Sequence, residues 1–241
     1  MSNFCYIGCH VLWREVSHFA SLSEHRFDIR FQEWGLHCRP DDLRSTLQAA
    51  IDEADTGCYD AILIGYGLCS NGIAGIRAGK TRLVVVRAHD CVTLLIGSKE
   101  GYREYFDEHP GTYWYSPGWI EDHLAPGRER YERTRAEYRD KYGEDNADYL
   151  MDLEQDWFKK YSTAAYVDFD LGGTEKYKRF TRDCAQWLTW KYDELRGDPA
   201  LLVDFLSGEW KDAGRYLLVE PGYMIQSSND DSIIKAERIE A

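Results

Sequence analysis

Within the first hundred residues, thiols, imidazoles and a carboxylate recur at the ends of apolar runs. Cys9 closes "FCYIGC" (4–9), and His37 and Cys38 follow "FDIRFQEW" (27–34). Cys69 sits in the glycine-rich "GYGLCSNG" (65–72), and His89, Asp90 and Cys91 lie in "RAHDCVTLLIGS" (87–98). Thiolate and imidazole together make a tetrahedral zinc shell, whereas three thiolates can hold an iron–sulfur cluster with one iron left open. An aspartate beside a histidine orients it or assists proton transfer. A cysteine that opens a helix is a further type of candidate, because the helix dipole favours thiolate and hence a nucleophile.

These residues can act together only if the fold brings them together. "FCYIGC" reads as a short buried strand, "LWREVSHFASL" (12–22) as a helix and "FDIRFQEW" as an alternating strand. "RPDDLRSTLQAAIDEA" (39–54) reads as a helix, with Pro40 and two aspartates in its first turn and Leu43, Leu47 and Ile51 on one face. "YDAILIGYG" (59–67) is a continuous apolar run bounded by glycine, as in a central parallel strand. "SNGIAGIRAG" (70–79) reads as a turn and short helix, "TRLVVVRA" (81–88) as a strand, and residues 91–109 as one or two helices. Strands alternating with helices at this spacing predict βαβ units and a parallel sheet.

The second half is less regular. "GTYWYSPGW" (111–119) reads as a strand, residues 126–162 as charged helix, and "AAYVDFDLG" (164–172) as a strand. Residues 174–195 read as one helix, "PALLVDFLSG" (199–208) as another and "GRYLLVEPGYMI" (214–225) as a closing strand. "GTYWYSPGW" and "GRYLLVEPGY" echo each other as strand, Pro-Gly, aromatic. The expected fold is α/β, with two Rossmann-like halves: a parallel sheet in the N-terminal half and a helix-rich insertion in the C-terminal half. The expected divisions are 1–115 for the Cys/His-bearing half, 116–225 for the second half and 226–241 for a flexible polar tail.

Ligands of parallel α/β sheets bind outside the carboxyl ends of the strands, where strand order reverses. Four predicted strands each deliver a thiol or imidazole to that edge. Cys9, His37, Cys69 and Cys91 are therefore the candidate metal ligands, with zinc and a three-cysteine iron–sulfur cluster as the alternatives. His89 and Asp90 are the candidate catalytic pair, and Gly67 and Gly72 the candidate glycines for close approach of a cofactor. Cys5, Cys58 and Cys184 read as packing residues, and His37 rather than Cys38 as the inward member of its pair. Arg39 and Arg87 lie near the same edge, where they either hold an anion or pair with local acids. His10, His109 and His123 are expected to face solvent, and "GTYWYSPGW" to form either a pocket wall or core.

Composition narrows the partners. A net charge of −13 disfavours nucleic acid and anionic membranes. No stretch approaches the ~18 apolar residues that span a bilayer. The N-terminal segment lacks the pattern of a secretory signal, and seven scattered cysteines suit thiols or metal ligands better than a disulfide framework, so a cytoplasmic protein is expected. "GYGLCSNGIAG" does not match the dinucleotide fingerprint G-x-G-x-x-G with a following acidic residue.

With "LHCRPDDLR" upstream, the motifs "GYGLCSNG", "RAHDCVTLLIGS" and "GTYWYSPGW" resemble the DUF1638 family of uncharacterised proteins over roughly residues 5–225. By that resemblance Cys9, His37, Cys69, His89, Asp90 and Cys91 fall on recurring motif positions. This chain departs from the pattern at Cys38 and at Ser70, where a glycine is usual. Family members occur in anaerobes, often encoded beside corrinoid-dependent methyltransferases, which implies a small-molecule substrate in one-carbon or methyl-transfer metabolism. No Asp-x-His-x-x-Gly run of the corrinoid carriers is present. The expected function is a metal-dependent enzyme. The alternatives are a non-catalytic metal- or cofactor-binding accessory to a corrinoid methyltransferase partner, and a metal-free thiol enzyme with Cys91 as nucleophile.

Overall fold

A computed structural model describes residues 1–240. The chain forms two compact units, one of Met1–Tyr102 together with the chain from Asp198 onward, the other of Arg103–Gly197.

The first unit opens with β1 (Asn3–Cys9), whose last six residues are all buried. A single 3₁₀ turn leads into α1 (Trp13–Leu22), which buries Val16 and Ala20. Then come β2 (Arg26–Gln32) and α2 (Pro40–Ala54). Proline at the start of α2, Asp41 and Asp42 in its first turn and the buried stripe Leu43, Leu47, Ile51, Ala54 account for that helix. Strands β3 (Ala61–Gly65) and β4 (Leu83–Val86) are wholly buried, as central parallel strands must be. Two helices follow, α3 (Val92–Ile96) and α4 (Lys99–Glu108), the second of which continues from Arg103 in the other unit.

The second unit carries β5 (Thr112–Tyr115), α5 (Pro117–Asp122), α6 (Arg128–Tyr142), α7 (Glu144–Phe158), β6 (Thr163–Asp168), α8 (Glu175–Leu188) and β7 (Lys191–Arg196). Its three strands are parallel in the order β5-β6-β7. Helix α6 buries nothing and is held by ion pairs, within itself at Arg128–Glu132 and to α7 at Arg130–Glu154 and Arg135–Asp148. Tyr115, Tyr166, Tyr177 and Cys184 lie in the core, which identifies the "GTYWYSPGW" strand as a core element. The long helix expected over 174–195 stops at Leu188. Thr189 takes a left-handed conformation (φ 60°), Trp190 N–H closes the helix on Ala185, and the chain reverses into β7.

The chain then rejoins the first unit with α9 (Ala200–Ser207), β8 (Tyr216–Val219), β9 (Tyr223–Ser227) and β10 (Ile234–Arg238). The first sheet has the order β2-β1-β3-β4-β8, parallel except for β8, which pairs antiparallel with β4. This return moves the expected divisions at 115 and 225. β8 completes the first sheet while Phe205 of α9 packs on Tyr6 of β1, so residues 198–225 belong with the N-terminal strands. It also removes any symmetry from the Pro-Gly echo, since β5 is in a parallel sheet and β8 is an antiparallel edge.

Two more expectations change for backbone reasons. Residues 70–79 form turns rather than a short helix, because Gly75 and Ala78 N–H donate to Ile225 and Tyr223 carbonyls and Ile76 accepts from Ile225. The polar tail is not loose. β10 pairs with β9, Ile233 and Ile234 are buried, and the Arg87 guanidinium donates to the Ser232 carbonyl (2.8 Å) and the Ile234 carbonyl. Arg87 is thus bonded to the Ala213 carbonyl and the C-terminal hairpin, and Arg39 pairs with the local acid Asp42 (3.0 Å). Among the described residues no helix is long and apolar enough to cross a membrane.

Replacing Arg87 by alanine strands three carbonyls, of Ala213, Ser232 and Ile234, that now accept charged hydrogen bonds, a loss of about 1–3 kcal/mol. Amide hydrogen exchange across 223–238 is expected to accelerate selectively; an unchanged exchange pattern would show that the hairpin does not depend on this latch.

Candidate thiol site at the sheet edge

Strand order turns at β1: β2 lies on one side of it and β3 on the other. This is the switch point at which parallel sheets open a crevice beyond their carboxyl ends. Cys9 ends β1, Cys69 follows β3 and Cys91 follows β4, so three adjacent strands deliver the three thiols to one edge. Each is buried; Cys91 lies in the Coulomb field of Cys9 and Cys69, and Cys69 in that of Cys9.

Glycines make this convergence sterically feasible. Tyr6 points along β1 toward the carboxyl edge, its ring lying over the paired residues Gly8 and Gly65. A Cβ on Gly8 would sit 2.5 Å from Tyr6 Cζ, and one on Gly65 2.7 Å from Tyr6 Cε2. Beyond the strands, a Cβ on Gly67 would sit 2.6 Å from the Asp90 nitrogen, so the loops after β3 and β4 touch backbone to backbone. Leu68 and Cys69 N–H groups donate to the Ala88 and His89 carbonyls, both at 2.8 Å. Gly72 is packed against Leu43 and the Cys69 carbonyl. Gly67 and Gly72, expected to admit a cofactor, instead owe their lack of a side chain to this close packing.

The loop itself is strained. Cys69, Ser70 and Asn71 have φ of 45°, 56° and 65°, a left-handed region that costs a non-glycine residue about 1–2 kcal/mol. Arg44 steadies the loop by donating to the Ala74 and Asn71 carbonyls.

Burial dominates the electrostatics. It pushes the Cys69 and Cys91 thiols well above the ordinary cysteine range, and the neighbouring thiols and Asp90 push the same way. The N–H groups of Gly67 and Cys91 favour thiolate at Cys69 but do not prevail. The acidification expected for Cys91 is overturned: α3 is a five-residue helix, and its dipole cannot offset complete desolvation.

Asp90 serves this turn rather than His89. Its Oδ1 accepts from the Val92 and Thr93 N–H groups at the start of α3, and its Oδ2 accepts from Tyr102 Oη (2.8 Å). Burial raises its pKa, and these bonds and His89 pull it back. His89 is exposed, whereas His37 is half-buried, edge-on to Trp34 and within the field of Asp90. Desolvation lowers the His37 pKa, and Asp90 opposes that shift. Cys38 is exposed. Cys58, expected to pack, is also exposed, whereas Cys5 and Cys184 are buried with thiols pushed up to about 11 and about 12. His10, His109 and His123 are half-buried against aromatic neighbours rather than solvent-facing.

Residues outside the expected set complete the edge. Tyr6 and Tyr66 are buried, and the charges acting on their hydroxyls come from Cys9, Cys91 and Glu15 for Tyr6, and from Cys9, Cys69, Tyr6 and Cys91 for Tyr66. Glu15, buried in the first turn of α1, adds a carboxyl group that acts on Tyr6. The signal for Tyr6 was the pair of glycines flanking it in the sheet; a tyrosine followed two residues later by glycine is otherwise unremarkable in a strand. Among the described residues, no three His, Cys, Asp or Glu side chains are grouped as a ready-formed metal shell.

Two measurements test this geometry. In the native metal-free chain at pH 8, a thiol reagent is expected to label Cys38 and Cys58 and leave the other five cysteines until unfolding; fast labelling of Cys9, Cys69 or Cys91 would contradict their burial. Gly67→Ala forces the two loops apart and is expected to cost about 2 kcal/mol or more in urea unfolding, at the upper end of overpacking effects; a change below about 0.5 kcal/mol would show the loop contact to be loose.

No curated protein and no solved structure matches the chain. The family model for DUF1638, described as a protein of unknown function, matches residues 31–206, which takes in His37, Cys69, His89, Asp90 and Cys91 and leaves Cys9 before its start. That span is most of the chain, and the protein belongs to the DUF1638 family.

Proposed function

We propose that Cys9, Cys69 and Cys91 hold a soft metal, either zinc or an iron–sulfur cluster with an open iron, and that the protein is an enzyme acting on a small molecule there. The setting proposed for it is the anaerobic methyl-group metabolism implied by the family resemblance. One observation carries the reading: three buried thiols from three adjacent parallel strands, with Cys9 and Cys69 both acting on Cys91, at the switch point of the sheet. Isolated buried thiols stay protonated, and clustering three of them raises the cost of ionising any one. A bound cation reverses that cost and makes the cluster a ligand set. The donor chemistry suits such a metal, and because no metal-competent group is pre-formed among the described residues, binding would have to draw the thiols together.

When bound, the metal would supply Lewis acidity at its open position. His37 is the acid/base group that this reading selects, being half-buried beside Asp90, while Asp90 fixes the α3 turn that carries Cys91. The metal-free alternative, with Cys91 as nucleophile, is disfavoured by the same burial, which keeps that thiol protonated with no cation to assist it. An accessory role differs from the enzymatic one in coordination: an accessory site would be fully ligated and inert to added small thiols or acids.

The test is elemental analysis with a UV–visible spectrum on protein purified without oxygen. Bound zinc or several irons per chain is expected, lost in Cys9→Ser, Cys69→Ser and Cys91→Ser and kept in Cys58→Ser. Wild-type protein free of metal, or metal retained in all three of the first variants, would overturn the proposal.

A further inference from the structure

We infer that Tyr6 and Tyr66 form a two-donor seat for the oxygen of an uncharged carbonyl group, which makes the small substrate of this edge a carbonyl compound. The inference deepens the reading of the edge as the functional site and does not depend on the metal.

It starts from a contrast among the buried tyrosines. Tyr115 Oη donates to the Pro126 carbonyl (2.9 Å), Tyr166 Oη to Asp168 (2.6 Å), Tyr216 Oη to the Leu201 carbonyl (2.8 Å), and Tyr177 Oη to Glu121. Tyr6 and Tyr66, at 0% and 2% exposure, have no hydrogen-bond partner. A buried hydroxyl without a partner forfeits its hydration at a cost comparable to a lost hydrogen bond, so native structures satisfy nearly all of them. That the two exceptions occur together, each beside the thiols, points to an acceptor that arrives from outside the chain. Thr93 Oγ1, two residues past Cys91, is a third buried hydroxyl in the same condition.

The surroundings select the kind of acceptor. The groups whose charge acts on the two phenols are the thiols of Cys9, Cys69 and Cys91, the carboxyl group of Glu15 and, for Tyr66, the phenol of Tyr6. No lysine or arginine is among them, so nothing there would neutralise a carboxylate or phosphate, and Glu15 disfavours one beside Tyr6. A neutral carbonyl needs no such neutralisation. A phenol is protonated at neutral pH, so each of these buried hydroxyls carries an O–H that an incoming acceptor would engage. Two fixed neutral donors on one carbonyl oxygen are also the arrangement that gains most as negative charge develops there. Gly8 and Gly65 place the Tyr6 hydroxyl at this depth; a side chain at either would displace the ring.

The test is ligand-observed saturation-transfer NMR with acetamide, S-methyl thioacetate and acetate as probes. It uses the full chain as wild type, Tyr6→Phe, Tyr66→Phe and the double variant, with metal content measured on the same samples. At least one neutral carbonyl probe is expected to bind wild type, to weaken about tenfold in the double variant and to exceed acetate in both. Failure of both neutral probes on wild type, equal binding by the double variant, or acetate binding as well as acetamide would overturn the inference. The variants are expected to melt no lower than wild type, because the hydroxyls they lose have no protein partner. A large fall in melting temperature would mark the hydroxyls as structural, satisfied by ordered water, and would also overturn it. Carbonyl binding that depends on the tyrosines in metal-free protein would leave this inference standing and the metal proposal fallen; metal bound with no effect of the tyrosines would do the reverse.

Discussion

The constraint on which this edge depends is the backbone approach of Gly67 to Asp90. With a side chain at 67, the loop after β3 could not lie against the loop after β4, and the bonds from Leu68 to Ala88 and Cys69 to His89 would not form. Those two bonds extend the parallel pairing of β3 and β4 past the ends of the strands. They set Cys69 beside Cys91, and the register of β1 with β3, Gly8 against Gly65, sets Cys9 and Tyr6 beside both. β1, β3 and the loop after β3 thus share one positional requirement, absence of a Cβ at 8, 65 and 67.

Holding the edge in this form is costly. Three left-handed residues in succession, three desolvated thiols and two unpartnered phenols oppose folding locally. The cost is offset by the strands beneath, where Ile62, Leu63 and Ile64 of β3 and Leu83 to Val86 of β4 are fully buried on both faces. Rigid, apolar strands under a strained polar rim are the usual division of labour in a binding fold, because the rim gains nothing for stability from its own geometry.

Much of this was legible in the sequence. Runs such as "AILIG" and "LVVV" announce buried parallel strands, and thiols placed just after them announce an edge, since in a parallel sheet every strand ends on the same side. What was not legible required knowledge of which strands are neighbours. β8 lies 130 residues from β4 in the chain, and nothing in "GRYLLVEPGY" says that it closes the first sheet antiparallel rather than starting a second one. The role of Asp90 was hidden for a similar reason: a His-Asp pair reads as catalytic, but the carboxylate is spent on the first N–H groups of α3 and on Tyr102. Tyr6 and Tyr66 were hidden because a tyrosine in an apolar strand reads as core.

Burial of a cysteine does not by itself distinguish this edge from the rest of the molecule. Cys5 and Cys184 are equally enclosed, with thiols pushed up to about 11 and about 12, and each sits as filler, Cys184 against the bare backbone of Gly127. The edge differs in that three thiols are gathered at the ends of adjacent strands beside two phenols whose hydroxyls have no hydrogen-bond partner. Packing alone never favours that arrangement, since each group could be replaced by an apolar residue of the same size at a gain in stability. Its persistence in a fold that pairs its other buried tyrosines is the physical reason to seek a ligand there.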